Sequence, residues 1–147
     1  MSVINRFEKK LNQLKDSINP TIQDTVNRTK PLLIDEQTNE QMFKGEDSKG
    51  VQFVPSYALS TKVTKKKKGQ PTNRVTLKDS GDLYKSIKVD AKTNEMIISA
   101  NVEYFKYLVT HYSQNTILGL QPEFLEKYTK QLILPNLKTK WIQIIRQ

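Results

Sequence analysis

The 147-residue sequence contains no cysteine and a single histidine, His111. Without cysteine the chain forms no disulfide, thiolate metal site or cysteine nucleophile, and one histidine cannot build a histidine cluster for zinc. Long apolar runs are also missing. The longest runs are no longer than Leu32–Ile34, which is far too short for a membrane-spanning helix or for the core of a secretory leader. The sequence therefore predicts no cofactor, no membrane contact and no export by that route.

Glycine is scarce as well, and its five positions lie too far apart to form a phosphate-binding loop. His111 follows an aromatic segment with no nucleophile or orienting carboxylate beside it in the sequence, so we interpret it as a packing or helix-end residue. Asp79 and Asp82 offer too few oxygen donors for a calcium loop, and we interpret them as parts of a turn and helix cap. We expect no enzymatic activity.

Positive charge is abundant: 24 Lys and Arg oppose 15 Asp and Glu, which gives a net charge of +9 and favours an anionic or acidic partner. The excess lies in residues 46–80, where a lysine run precedes Gly69 and Pro71, and the sequence predicts an exposed loop over residues 60–73. Two interpretations remain open, a solvated or subunit-contacting loop and a contact with nucleic-acid phosphates. The candidate contact residues are Lys62, Lys65, Lys66, Lys67 and Lys68.

Apolar residues recur at helical spacing near the start of the chain, from Ile4 to Ile18. This spacing predicts a first helix that ends at Asn19 and Pro20, a second that begins at Pro20, and a third that closes at Gly45. The first helix packs either on its own domain or on a neighbouring subunit. The candidate subunit-interface residues are Ile4, Phe7, Leu11, Leu14, Phe53 and Tyr57.

Alternation of apolar and polar residues predicts a β-hairpin over residues 87–100, and an aromatic helix follows it. Pro122 opens a terminal helix that Pro135 bends or splits, and its apolar stripe is either core or an interaction surface. We predict one α+β domain, 1–147, in which a small antiparallel β-sheet packs with N-terminal and C-terminal helices beside a long exposed loop. Its regions are 2–44 (helical), 45–121 (hairpin core with the basic loop) and 122–147 (terminal helix).

The stretch Arg74–Ile87, followed by a hairpin with Met96–Ile98 and then by Val102–Phe105, resembles the tailed-phage virion morphogenesis and tail-completion proteins. Those proteins show a Thr/Ser-Gly-x-Leu-x-x-Ser-Ile turn, a hairpin and a tyrosine-led helix in this order, and residues 41–57 are similar to the segment that precedes the turn. In physical terms, the first residues of the turn accept amide hydrogens at a helix start, glycine turns the backbone, and two apolar residues enter the core. The motif residues here are Asp79, Ser80, Gly81, Leu83 and Ile87.

The resemblance implies a structural protein of the virion neck, which forms a homo-oligomeric ring between portal and tail and is assembled in the host cytoplasm. Portal or adaptor and tail proteins would be its partners, and DNA would pass through the lumen of the ring. The alternatives are a small basic DNA-binding or packaging-associated protein, which rests on charge alone, and an undetected enzyme.

Overall fold

The computed structural model describes residues 2–112 and 114–147, and within them the predicted α+β fold is confirmed. Helices predominate, and one antiparallel hairpin supplies the strands of the described residues. In chain order the elements are α1 (Val3–Arg28), α2 (Lys30–Asp35) with a π-helical continuation (Glu36–Met42), α3 (Leu59–Lys67), α4 (Asp82–Ser86), β1 (Lys88–Lys92), β2 (Glu95–Ser99), α5 (Phe105–His111), α6 (Gln114–Ile117), α7 (Pro122–Tyr128) with a π-helical continuation (Thr129–Ile133), and α8 (Leu134–Arg146).

The β-hairpin lies where the alternation predicts it. Thr93 and Asn94 form the turn between β1 and β2, and Asn94 has a φ of +66°, a left-handed conformation that asparagine adopts more readily than most residues. On β1 the side chain of Val89 is buried between exposed neighbours, as expected for a strand with one covered face. At the hairpin tip, Asn19 of α1 donates its amide to Asn94 Oδ1 over 2.9 Å.

Contacts divide the described chain into two compact units, whereas the sequence predicts a single domain. Unit 1 consists of Met1–Lys30, Asp90–Ile97 and Glu123–Gln147. Unit 2 consists of Pro31–Val89 and Ile98–Pro122. Each unit joins segments that are distant in the sequence, so a reading of local periodicity in chain order cannot find this division.

Within unit 1, α1 is one helix that continues through Pro20, and the predicted stop at Asn19 and Pro20 is wrong. A proline inside a helix removes one backbone hydrogen bond and costs about 3 kcal/mol. Contacts with α8 on both sides of the proline offset this cost: Trp141 donates to Ser17 Oγ over 3.0 Å, and Asn136 donates to Thr25 Oγ1 over 3.0 Å.

The order of these contacts shows that α1 and α8 run antiparallel. Lys10 Nζ, near the start of α1, donates to the carbonyl of Ile144 over 2.6 Å, near the end of α8. Such a cation satisfies a backbone carbonyl that lacks an intrahelical partner. The turns of α1 before Lys10 therefore extend beyond the end of α8.

The terminal helical segment begins at Pro122, as predicted, and changes its hydrogen bonding ahead of Pro135. Thr129–Ile133 is π-helical, and the amide of Leu134 donates to the carbonyl of Thr129. The wider turn accommodates a proline that offers no amide hydrogen, so the helical segment is adjusted here and not split.

The core of unit 2 gathers the turn motif and the segments around it. Leu83 and Ile87 are buried there, as predicted, beside Phe53. The full buried cluster is Met42, Phe53, Val75, Leu83, Tyr84, Ile87, Ile117 and Leu118. Phe53 is only 5% exposed, so the prediction that it contacts another subunit is wrong: the apolar ring is used inside its own unit.

Two glutamines join the π-helical segment of unit 2 to residues 117–121. Gln37 donates to the carbonyl of Ile117 over 3.0 Å and accepts the amide of Gly119 over 2.8 Å. Gln41, one turn later, donates to the carbonyl of Gly119 and accepts the amide of Gln121. Both side chains are fully buried, and the oxygen and the nitrogen of each amide are hydrogen-bonded, as a buried amide requires.

Candidate functional site

The lysine run belongs to helix α3 and does not form the predicted loop over residues 60–73. The helix covers Leu59–Lys67 and ends at Lys68, with Gly69 at a φ of +68° after it. Lysine is a good helix former, and three cations in the last turn lie at the negative end of the helix dipole. Charge repulsion within the run is therefore outweighed, and the irregular segment starts only after the helix.

Lys65 differs from the other lysines because it is 6% exposed. Its ammonium donates to the carbonyl of Lys78 over 2.8 Å and to Gln70 Oε1 over 3.3 Å, and it lies 4.8 Å from the ring centre of Tyr57. These contacts satisfy a buried cation without a carboxylate. Lys65 is thus a structural residue, and the prediction that it contacts nucleic acid or an acidic partner as part of an exposed run is wrong.

Lys68 connects α3 to the turn motif, which the sequence gives no reason to place beside it. Its ammonium lies 2.8 Å from Asp79 Oδ1, and Gln70 donates to the carbonyl of Asp79 over 3.1 Å. Hydrogen bonds from Lys68 and from Gln70 hold the pKa of the Asp79 carboxyl below its usual value. The basic run and the turn motif are therefore parts of one structural cluster.

The remaining lysines of the run face outward in unit 2. Lys66 and Lys67 are exposed, and Lys62 is half-buried. Within residues 2–112 and 114–147 no salt bridge engages these three side chains. They are the part of the predicted basic contact surface that the fold leaves accessible.

The turn motif has the predicted geometry. Gly81 adopts a φ of +90°, and Ser80 Oγ accepts the amide of Asp82 over 3.3 Å at the start of α4. The amide of Leu83 is bound by Tyr104, the residue that precedes α5, whose hydroxyl oxygen accepts it over 3.1 Å. Asp79 pairs with Lys68, so of the two residues predicted to accept an amide at the helix start Ser80 alone does so. The N-cap position belongs to Gly81, so no side chain caps α4, and Ser80 stabilises the turn before it.

Tyr57, another predicted interface residue, also acts inside unit 2. Its hydroxyl oxygen accepts the amides of Thr76 over 3.1 Å and Leu77 over 3.0 Å. Leu77 has a φ of +54°, a left-handed conformation that is costly for a branched side chain, and the tyrosine holds it in place. The Tyr57 ring is half-buried, so its main role is structural.

A cavity of about 340 Å³ lies among these groups, inside unit 2. Its walls come from the segment before α3, from α3, from the turn and from α5. The lining residues include Tyr57, Lys65, Leu77, Ser80, Tyr104 and Leu108. Spacing in the sequence gives no signal that these residues meet, because the chain brings them together from four separate segments.

In unit 1, the first turns of α1 expose an apolar stripe, which consists of Val3, Ile4, Phe7 and Leu11. Ile4 is 69% exposed and Phe7 66% exposed, and both belong to the stretch of α1 that extends beyond the end of α8. Leu14, further along, is half-buried. Of the six predicted interface residues, Ile4, Phe7 and Leu11 are thus available to a partner, and Phe53 and Tyr57 are used internally.

His111 is exposed at the end of α5, beside the ring of Tyr112. In residues 2–112 and 114–147 no three His, Asp or Glu side chains come together as metal ligands. None of the helices in this described part of the chain combines the length and the apolar character that crossing a bilayer requires.

Comparison with known proteins adds no family to this description. No family model, no curated protein and no solved structure matches the chain.

Proposed function

We propose that this protein is a structural component of a tailed-phage neck, where copies of the chain form a ring between portal and tail. The observation that carries the proposal is the apolar stripe at the start of α1. The order of turn, hairpin and aromatic helix supports it, since α4, β1–β2 and α5 follow one another as in the tail-completion proteins that the sequence resembles.

The stripe is more apolar than a solvated helix needs to be. Val3, Ile4 and Phe7 are 82%, 69% and 66% exposed and lie within two turns of the helix. Contiguous exposed apolar side chains of this kind mark contacts with other proteins. Burial of one such side chain contributes about 1.5–3 kcal/mol, so two or three of them supply a large part of the stability of a subunit contact.

The occupant that we propose for the stripe is the next copy of the chain. The first turns of α1 also carry exposed charges of both signs, which are Arg6, Glu8 and Lys9. Unit 2 exposes the apolar side chains Leu32, Val51 and Val54, and the proposed contact is with this unit of the next copy. Unit 2 also exposes the carboxylates of Asp35 and Glu40, of which Glu40 pairs with Lys44.

A contact between two different surfaces is heterologous, and it generates a ring when the rotation closes. The proposed contact between the stripe and unit 2 of the next copy is of this head-to-tail kind, which a neck ring requires.

The experiment is native mass spectrometry of the full chain, with Ile4→Ser and Phe7→Ser combined. We expect the wild type to form a closed oligomer and the double variant to remain monomeric. Leu59→Ser is the matched control, because Leu59 is 79% exposed on α3 and lies outside the stripe. Equal oligomers for wild type and double variant would contradict the role of the stripe.

A charge exchange tests the occupant. Arg6→Glu with Lys9→Glu is expected to abolish the oligomer, and Asp35→Lys with Glu40→Lys is expected to restore it when both pairs are combined. Failure of the second pair to restore assembly would show that the stripe contacts a different surface.

DNA binding is the second candidate, and the outward-facing Lys66 and Lys67 favour it. If it is correct, the monomer binds duplex DNA with submicromolar affinity at physiological salt, and Lys66→Gln with Lys67→Gln abolishes that binding. If the neck proposal is correct, the same variant leaves ring assembly intact.

A further inference from the structure

One side of α3 combines exposed apolar side chains with cations. Leu59 is 79% exposed and Val63, one turn later, is 48% exposed, so the core of unit 2 leaves both largely uncovered. Residues that follow a given residue by three, four, seven and eight positions lie on the same side of an α-helix. Counted from Leu59, this spacing defines the outer face of α3, which consists of Leu59, Lys62, Val63, Lys66 and Lys67.

The charge of the outer face has one sign and is not neutralised within the described chain. Helix α3 contains no acidic residue, and in residues 2–112 and 114–147 no salt bridge engages Lys62, Lys66 or Lys67. The carboxylate of Asp79, which lies beside the end of the helix, is paired with Lys68. The outer face therefore offers three ammonium groups around two apolar side chains, and its complement is a surface that is both apolar and acidic.

The two apolar side chains distinguish between anionic partners. The backbone of duplex DNA would pair with the lysines and leave Leu59 and Val63 beside charged groups and water. Helices that bind a lipid surface insert several large apolar side chains, commonly with tryptophan or phenylalanine, and α3 has fewer than three turns and no aromatic residue. The outer face of a second copy would bring the lysines of both copies together, which is unfavourable. An acidic amphipathic segment of another protein covers the apolar side chains and pairs with the lysines at the same time.

We propose that the outer face of α3 binds a segment of a partner protein in which apolar side chains are flanked by Asp or Glu. The apolar side chains of this segment cover Leu59 and Val63. Its carboxylates pair with the three lysines, whose aliphatic stems extend the apolar contact. The source of the segment, a neck protein other than this chain, rests on the proposed function; the chemistry of the segment rests on the outer face alone.

The test is the fluorescence anisotropy of a labelled peptide that is titrated with the purified full chain at physiological salt. The probe is a short helical peptide in which two leucines, one turn apart, lie between glutamates. One control peptide has glutamine in place of each glutamate, and the other has serine in place of each leucine. We expect both control peptides to bind at least about tenfold more weakly, because the first loses its ion pairs and the second loses the burial of its leucines.

Variants of the chain assign the binding to the outer face. Leu59→Ser with Val63→Thr removes the apolar part, and Lys66→Gln with Lys67→Gln removes two of the cations. We expect each pair of changes to weaken the binding of the acidic peptide about tenfold. All four side chains are exposed, so both variants are expected to fold.

Matched control variants lie on α8, outside unit 2. Ile145→Ser removes an apolar side chain that is 62% exposed. Lys138→Gln with Lys140→Gln makes the same change of net charge as the lysine pair, at two exposed residues. We expect both control variants to bind the acidic peptide with the affinity of the wild type.

Several results would overturn the proposal. The acidic peptide fails to bind, either control peptide binds as tightly as it does, or the variants of the outer face bind it like the wild type. Tighter binding of a 20-base-pair duplex or of phosphatidylglycerol vesicles would assign the outer face to phosphate groups. Loss of the oligomer in the same variants would make a second copy the occupant. Because the titration needs no oligomer, a chain that forms no ring but binds the acidic peptide refutes the source and leaves the site.

Discussion

Replacement of Lys65 by methionine tests whether the lysine run is a uniform basic surface or contains one structural member. The change keeps an unbranched side chain as far as the ε carbon and removes the ammonium, so the carbonyl of Lys78 loses its donor at 2.8 Å and the ring of Tyr57 loses its cation. A hydrogen bond to a charged group contributes about 1.5–3 kcal/mol, and a cation over an aromatic ring about 0.5–1 kcal/mol. The cost of burying the ammonium offsets part of this, so we expect a net loss of about 2 kcal/mol.

The assay is thermal and urea unfolding of the purified chain at neutral pH. A loss of this size lowers the melting temperature by about 4–8 °C for a chain of this length. Lys66→Met is the matched control: Lys66 is the next residue and is exposed, so its replacement is expected to change the stability by less than about 0.5 kcal/mol. Equal unfolding of the two variants would refute the reasoning, because it would show that Lys65 is as solvated as its neighbour.

Three further changes test other local claims by the same unfolding measurement. Gly81→Val is expected to lower the free energy of unfolding by roughly 1–2 kcal/mol or more, because Gly81 has a φ of +90°. Gly81→Asn should lower it less, since asparagine adopts this conformation more readily, and equal losses for the two variants would contradict the left-handed turn. Pro20→Ala is expected to raise stability by about 1–2 kcal/mol, since α1 continues through the proline, and a decrease would contradict the continuous helix. Lys68 and Gln70 lower the pKa of Asp79 below its ordinary 3.8, so ionised Asp79 is stabilising above that pH, and this contribution is lost as the pH falls through the lower folded pKa. The stability difference between wild type and Asp79→Asn should therefore disappear in acid. A difference that grows as the pH falls would contradict the lowered pKa of Asp79.

The parts of the fold that the sequence predicts correctly are those set by local rules. The hairpin follows from alternation and a short polar turn, and Gly81 follows from the need for a residue without a Cβ in a left-handed turn. The start of the terminal helix at Pro122 follows from the fixed φ of proline. In each case a few neighbouring residues decide the conformation.

The sequence-based predictions are wrong where contacts between residues that are distant in the sequence determine the conformation. Pro20 does not end α1, because α8 binds that helix on both sides of the proline. Lys65 looks like its neighbours in the sequence, and only the packing of α3 on the 78–79 segment buries it. The pairing of Gln37 and Gln41 with residues 117–121 has no sequence signal, since buried and solvated glutamines look alike in a single sequence.

The candidate site, too, could be predicted from the sequence only in part, because contacts between distant residues form much of it. The exposed residues Ile4 and Phe7 could be predicted as contact residues because helical spacing placed them on one face. The cavity could not, because Tyr57, Ser80 and Tyr104 come from separate segments that only the fold brings together.

The most direct test of the central claim, that this chain acts by assembly in the virion neck, is electron microscopy of tailed particles that carry a gold-binding tag on the chain. We predict a ring of label at the junction of head and tail. Label dispersed inside the capsid with the DNA, or found only on free protein outside the particles, would contradict the claim.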